Sequence, residues 1–390
     1  MATLLLIVIC ISYISLGIPD SIFGTAWPAI YTDFSLPISY ANIIITLSCI
    51  ATTISSLLSS KVINRFGTNK VTAASTLLTA VSMLLYSYSP NFLSYCLLTV
   101  PLGLGAGAID TGLNNYVAMH YNASHMNFLH CFYGIGVSIS PYLMSIALSN
   151  DNNWRSGYKL AFIIQFIIAI ITILSIPIWN KDKKETEKKE INQKTLTFKE
   201  LVKMPSVRIV WVVFIGACAV ECTTGIWAST YFAEHMNLLP EMVAKITTLF
   251  YAGLAIGRFL SGLFSAKFTS WQIIFASSAL LFVGILIMII SPLYTVSCIG
   301  LFITGLTIGP MFPNLVHLTP KNFGEDISQS VMGTQMAASY FGIIFLPSIF
   351  GFLAQTIGVW LFPIYIMVMF FLMIIPIYLL VKQLKKEGKY

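Results

Sequence analysis

The sequence predicts an all-α membrane protein, with twelve transmembrane helices folded as two six-helix pseudo-repeats. Three observations predict it. The composition is too apolar for a solvated surface, twelve apolar stretches have spanning length, and fragments align when the chain is laid on itself at a shift of about 202 residues.

Of 390 residues, 57% are apolar and only 9% are charged, against about 25% charged in soluble domains. Mean hydropathy is +0.82. A soluble chain of this length would build about two or three domains, each needing a charged surface that is missing here. Lipid is therefore the expected solvent and partner. The seven cysteines lie almost entirely in apolar stretches without a CxxC pair. Cys218 and Cys222 share a helix face, but no histidine or further cysteine joins them, so they read as packing residues. No catalytic motif, phosphate loop, metal cluster or nucleic-acid-binding pattern occurs. Neither an enzyme nor a resident cofactor is expected, and a monomer is.

Windows of about 20 apolar residues, the length that crosses a bilayer, fall at 3–30, 39–60, 71–89, 92–118, 127–148, 158–179, 207–233, 242–266, 272–291, 293–316, 329–353 and 357–381. Most breaks carry turn or charge signals, such as Asp33 to Pro37, Lys61 to Lys70, Ser89-Pro90 and Ser291-Pro292. The first stretch lacks a basic start and runs through Pro19, Asp20 and Pro28, so it reads as a helix and not a signal peptide. Placing both termini in the cytoplasm puts eighteen Lys and Arg inside and three (Arg155, Lys159, Lys245) outside, with Arg258 inside a span. That asymmetry follows the positive-inside rule. A multi-pass protein of the plasma (cytoplasmic) membrane, with both termini cytoplasmic, is expected. The one long polar run, Asn180 to Lys203, reads as a solvated, partly helical linker. The expected organisation is a bundle over 1–180, a cytoplasmic linker over 181–205 and a second bundle over 206–390.

The halves repeat one another. Ser60 to Phe66 lies over Gly262 to Phe268, with Arg65 over Lys267. Gly103-x3-Gly107 lies over Gly305-x3-Gly309, and Gly136 with Pro141 over Gly342 with Pro347. Asp20-x3-Gly24 lies over Glu221-x3-Gly225. Two such halves are expected to be related by an axis along the membrane normal, with a substrate site near the midplane.

Three acids stand inside spans: Asp20 in the first, Asp110 in the fourth and Glu221 in the seventh. A carboxylate at the centre of a span costs about 2.5–3.5 kcal/mol on insertion scales, so function is the default reading. A buried carboxyl can bind a proton near neutral pH, which proton coupling requires. Asp110 lies about 13 Å from the inner end of its span at 1.5 Å per residue. Each acid has a plainer reading too. Asp20 follows Pro19 and could satisfy backbone at a helix break, and Glu221 could pair with Arg258. Arg258 reads as a structural contact. His130, near the cytoplasmic start of the fifth span beside Asn127, reads as a structural or gating helix contact, with a coupling role as the alternative. Pro310 and Pro313 should bend the tenth span.

The loop after the second span, Ser60-Lys-Val-Ile-Asn64-Arg65-Phe-Gly67-Thr-Asn-Lys70, resembles the G-x-x-x-D-R-x-G-[RK]-[RK] signature of the major facilitator superfamily, with Ser60 and Asn64 in place of the glycine and the acid. A sharper resemblance follows. Gly103-Leu-Gly-Ala-Gly-Ala-Ile-Asp110-Thr-Gly-Leu-Asn114 is similar to the fourth helix of the fucose/galactose/glucose:proton symporter family, where a Gly-rich run leads to an acid-Thr pair. His125 to Tyr142, Phe250 to Phe268, Gly305 to Pro313 and Ala219-Val-Glu221-x-x-x-Gly225 resemble bacterial glucose/mannose permeases of that family. The resemblance implies the major facilitator fold and secondary active, proton-coupled symport of a monosaccharide by alternating access. The hexose would be one such as glucose, or the sugar fucose. Asp20 and Asp110 would be the coupling or sugar-binding carboxylates, with Asp at 110 where the relatives carry Glu; Glu221, from its place inside a span, is the third proton-coupling candidate. Asn114 would touch the sugar. Amide and aromatic side chains on the lining helices add Asn115, Trp27, Trp227, Tyr231, Tyr251, Asn314 and Gln335 as candidates. The coupling ion is H+, with Na+ the alternative that a carboxylate pair also serves. The competing function is a proton-antiport exporter of amphipathic compounds or drugs.

Overall fold

In a computed structural model, which describes residues 2–37, 40–151, 153–181, 194–238 and 240–388, the chain is helical nearly throughout. The helices are α1 (Ala2–Asp33), α2 (Ala41–Phe66), α3 (Thr68–Tyr86), α4 (Phe92–His120), α5 (Ala123–Asp151), α6 (Trp154–Leu174) and α7 (Ile176–Lys181). They continue with α8 (Phe198–Lys203), α9 (Pro205–Thr230), α10 (Pro240–Phe264), α11 (Ser270–Ile290), α12 (Tyr294–Ile308), α13 (Met311–His317), α14 (Thr319–Phe323), α15 (Ser328–Thr356) and α16 (Phe362–Lys386). A π-helical turn, Tyr231–His235, extends α9.

Among the described residues, ten helical stretches are long and apolar enough to cross a membrane. The apolar part of α10, Thr248–Phe264, and the 19-residue α3 complete the set of twelve. The α3 helix is less apolar because Thr72, Ser75, Thr76, Thr79 and Ser82 face inward. Several of those hydroxyls bond carbonyls of their own helix, as Thr76 does to Thr72 at 2.8 Å. The tenth span divides at Gly309-Pro310 into α12 and α13, as its two prolines predict. Most of the expected linker, residues 182–193, lies outside the described residues.

The chain forms two compact units. One comprises Met1–Tyr116, Leu129–Thr195 and Glu325–Gly333. Its core gathers Ile18, Ile22, Trp27, Tyr86, Tyr95, Trp154 and Tyr158 from α1, α3, α4 and α6. The other comprises Val117–Phe128, Leu196–Gly324 and Thr334–Tyr390, with α9 packed on α16 and α12 lying against both α10 and α11.

The duplication is visible in side-chain detail. Gly103 and Gly107 of α4 press on the carbonyls of Ser48 and Thr52 of α2. Gly305 of α12 and Gly309, just past its end, press on the carbonyls of Phe250 and Leu254 of α10. Every partner recurs 202 positions later. A side chain at any of the four glycines would collide with a neighbouring backbone, which is why the Gly-x3-Gly spacing appears twice. The hydroxyl of Ser56 donates to the Gly107 carbonyl at 3.5 Å, and the equivalent Arg258 donates through Nε to the Gly309 carbonyl at 3.3 Å.

Prolines inside spans leave carbonyls four residues back without a helical donor. Neighbouring helices supply one. Pro19 frees the Ser15 carbonyl, which accepts from Gln165 Nε2 of α6 at 3.0 Å. Pro141 frees that of Val137, which accepts from the Ser21 hydroxyl of α1 at 2.7 Å. Pro313 frees that of Gly309, the acceptor of Arg258. Between α2 and α3 a single residue, Gly67, turns the chain at φ +83°, a left-handed conformation that suits glycine.

Candidate functional site

Two of the three intramembrane acids stand in the first unit on connected side chains. Asp110 is half-buried on α4. Its Oδ1 accepts from the Tyr13 hydroxyl of α1 at 3.3 Å and from Asn114 Nδ2, one turn along α4, at 2.8 Å. The other end of that amide, Oδ1, lies 3.3 Å from Nε2 of His130 on α5. The rings of Tyr13 and His130 meet edge to face with centroids 5.5 Å apart. Four side chains from three helices close into a ring.

Asp20 is exposed on α1, and its Oδ2 accepts from the Tyr133 hydroxyl of α5 at 2.8 Å. The helix runs unbroken through Pro19, so Asp20 caps no broken turn. Tyr13 and Asp20 are seven residues apart on α1, while His130 and Tyr133 are three apart on α5. Each pair therefore shares a helix face. Between the two rungs the backbones touch, because Gly17 and Gly136 leave no side chain in the way. Below them the hydroxyls of Ser21 and Ser140 lie 2.6 Å apart. This α1–α5 seam holds both acids.

Glu221 of α9, in the second unit, forms an ion pair with Arg258 of α10, Oε1 to Nη2 at 3.0 Å. Arg258 is buried and Glu221 mostly so. Tyr251 lies close by, its hydroxyl seated where a side chain on Gly225 would stand. Trp227 donates from Nε1 to the Pro347 carbonyl at 3.0 Å and packs its edge on Phe350.

The remaining expected contacts are mostly engaged by the protein itself. Trp27 is buried among Phe23, Tyr31 and Phe92. Asn114 is fully buried. Asn115 accepts from the Ser328 hydroxyl at 2.8 Å. Tyr231 is buried in the π turn against His235 and Phe362. Asn314 donates to the Ser261 hydroxyl at 2.9 Å and the Pro310 carbonyl at 2.8 Å, and Gln335 accepts from the Thr319 hydroxyl at 2.9 Å. Only Trp227 and Tyr251 of the eight expected contacts keep appreciable exposed surface. Arg65 is exposed over the ring of Phe66. Tyr13 and Tyr133, which bond the two acids, carry no signal of their own in the sequence beyond their spacing on α1 and α5. Among the described residues, no three His, Cys, Asp or Glu side chains are grouped to hold a metal ion.

A family model of the Major Facilitator Superfamily matches residues 9–244 and matches again over residues 212–389. The chain belongs to the major facilitator superfamily. It is a multi-pass membrane transporter and not an enzyme. The second start, at residue 212, echoes the repeat seen in the glycine contacts. Among curated relatives, Bypass of stop codon protein 6 of Saccharomyces cerevisiae is 23% identical over 418 residues, covering 97% of this chain and 83% of that protein. The uncharacterized MFS-type transporter YhjX of Escherichia coli is 26% identical over 320 residues, covering 76% and 77%. Three solved structures share the major facilitator fold at low identity. The E. coli fucose:proton symporter FucP has a TM-score of 0.73 at 15% identity, covering 96% of this chain and 98% of its own. The proton:xylose symporter XylE has 0.75 at 12%, covering 94% of each. The human organic anion transporter MFSD10 has 0.72 at 12%, covering 94% and 98%.

Proposed function

We propose that this major facilitator imports a monosaccharide by proton symport, with Asp20 and Asp110 as the coupling acids. One observation carries the reading. Asp20 accepts from the neutral Tyr133 hydroxyl, and Asp110 from the neutral Tyr13 hydroxyl and Asn114 amide, whereas Glu221 is committed to Arg258. A carboxyl held by neutral groups can take up and release a proton without stranding a buried cation. Protonating Glu221 would strand one. Glu221 is therefore read as the structural partner of Arg258 and not as a third coupling acid. Half-buried Trp227 and exposed Tyr251 are the aromatic faces left to meet the C–H surface of a sugar. The names of FucP and XylE, both sugar:proton symporters, support the substrate class. The charge asymmetry supports cytoplasmic termini, and the plasma membrane is part of the proposal.

The test is external pH in lightly buffered, sodium-free proteoliposomes as D-glucose, L-fucose, D-galactose and D-xylose are added in turn. Alkalinisation with one sugar is the expected result, and Asp110→Asn should abolish uphill accumulation while sparing exchange. Uptake that needs sodium would replace the ion. No sugar response under either condition would overturn the reading and move the exporter to first place.

A further inference from the structure

We infer that His130 is a positioning residue for Asp110, acting through the Asn114 amide. The argument starts from donors and acceptors. Asn114 Nδ2 lies 2.8 Å from a carboxylate oxygen of Asp110. A carboxylate accepts only, so the amide must turn its N–H2 toward it. The opposite end, Oδ1, then faces His130 Nε2 at 3.3 Å, and an amide oxygen can only accept. His130 therefore carries a hydrogen on Nε2 and donates it. Flipping the amide would set oxygen against carboxylate on one side and, with the hydrogen on Nε2, N–H against N–H on the other. The carboxylate thus sets which end of Asn114 faces it, and the imidazole locks that orientation by donating to the other end. Tyr13, fully buried, completes the device by donating to the same oxygen and seating its ring edge-on to the imidazole. Both ends of the Asn114 amide are used within the protein, and the side chain is fully buried. Its role is to orient the carboxylate and not to contact a sugar. The inference builds on the proposed coupling role of Asp110.

The experiment reads Asp110 without any substrate. Full-length protein in proteoliposomes is treated with dicyclohexylcarbodiimide, which modifies protonated membrane carboxyls, and labelling at Asp110 and Asp20 is quantified by peptide mass spectrometry. Asp110→Asn removes the first signal and assigns it. His130→Phe and Asn114→Leu should each raise the Asp110-to-Asp20 ratio about tenfold, the size of one lost hydrogen bond to a charged group. His130→Gln, which keeps a side-chain N–H donor, should restore the ratio to within about twofold of the parent protein. The double variant Asn114→Leu/His130→Phe should match the single variants, because one route is cut twice. A general loosening of the fold would raise both labels together. An unchanged ratio in His130→Phe, no rescue by His130→Gln, or additive effects in the double variant would each overturn the inference. If Asp110→Asn still drives uphill sugar uptake, the coupling reading fails while the labelling ratio still decides the positioning role.

Discussion

Gln165 donates through Nε2 to the main-chain carbonyl of Ser15 at 3.0 Å, the acceptor that Pro19 leaves open on α1. The same amide nitrogen also reaches the Thr79 hydroxyl at 2.8 Å, tying α1, α3 and α6 together. Gln165→Leu leaves a buried carbonyl unpaired and should destabilise the protein by about 1–3 kcal/mol. Pro19→Ala returns a backbone N–H to that carbonyl, so the loss should shrink in the Pro19→Ala/Gln165→Leu protein. Thermal unfolding in detergent of the two single variants and the double variant checks this. Additive losses would mean that Gln165 acts elsewhere.

Arg258 and Glu221 should show the signature of a buried charge pair. Removing one partner strands the other at a cost of about 3–5 kcal/mol, while replacing both with neutral groups is close to neutral. Arg258→Met should therefore fold poorly, and Glu221→Gln/Arg258→Met should recover most of the loss. The double variant should still accumulate sugar uphill. Loss of accumulation with intact exchange would return Glu221 to the coupling acids.

Gly309→Ala would place a methyl group against the Leu254 backbone, and Gly107→Ala would do the same against Thr52. Each should cost about 1–3 kcal/mol as the helices move apart. The two losses should be similar, since the contacts are copies. Melting temperatures of the two variants, prepared side by side, test the equivalence.

Before the seventh span, Thr197 and Glu200 form a reciprocal cap on α8. Hydrogen bonds from the Thr197 side chain and backbone hold the Glu200 carboxyl below its ordinary value of 4.5. A depressed folded value means that the cap's contribution is complete above that ordinary value and is lost as pH falls through the lower, folded one. Backbone hydrogen exchange over residues 198–203 should therefore quicken on acidification in that window. Glu200→Gln keeps a capping group without the titration and should flatten the pH dependence.

Much of this architecture is legible in the residues, because spanning length, prolines and Gly-x3-Gly spacing are local signals. The three acids stand out for the same reason, since a charge in an apolar run is visible without a partner. The ion pair of Glu221 with Arg258 is legible as one of two readings, and only geometry brings the groups to 3.0 Å. What escapes the sequence is pairing across long separations. Tyr13 and Tyr133 are two of eighteen tyrosines, and nothing local says that they face Asp110 and Asp20. Asn115 meets Ser328, 213 positions away. Amides on lining helices read as substrate contacts because polarity is visible in a sequence, whereas the protein's own claim on that polarity is not. Asn314, Gln335 and Asn114 are cases of that claim.

The exchange of Ser56 for Arg258 at matched positions has an architectural consequence. A chain built from two first halves would keep every glycine contact and carry no fixed internal counter-ion. One built from two second halves would hold two neutralised acids and lose the α1–α5 seam that holds Asp20 and Asp110. The copies have ceased to be interchangeable modules: only the second half carries its own arginine against its intramembrane acid.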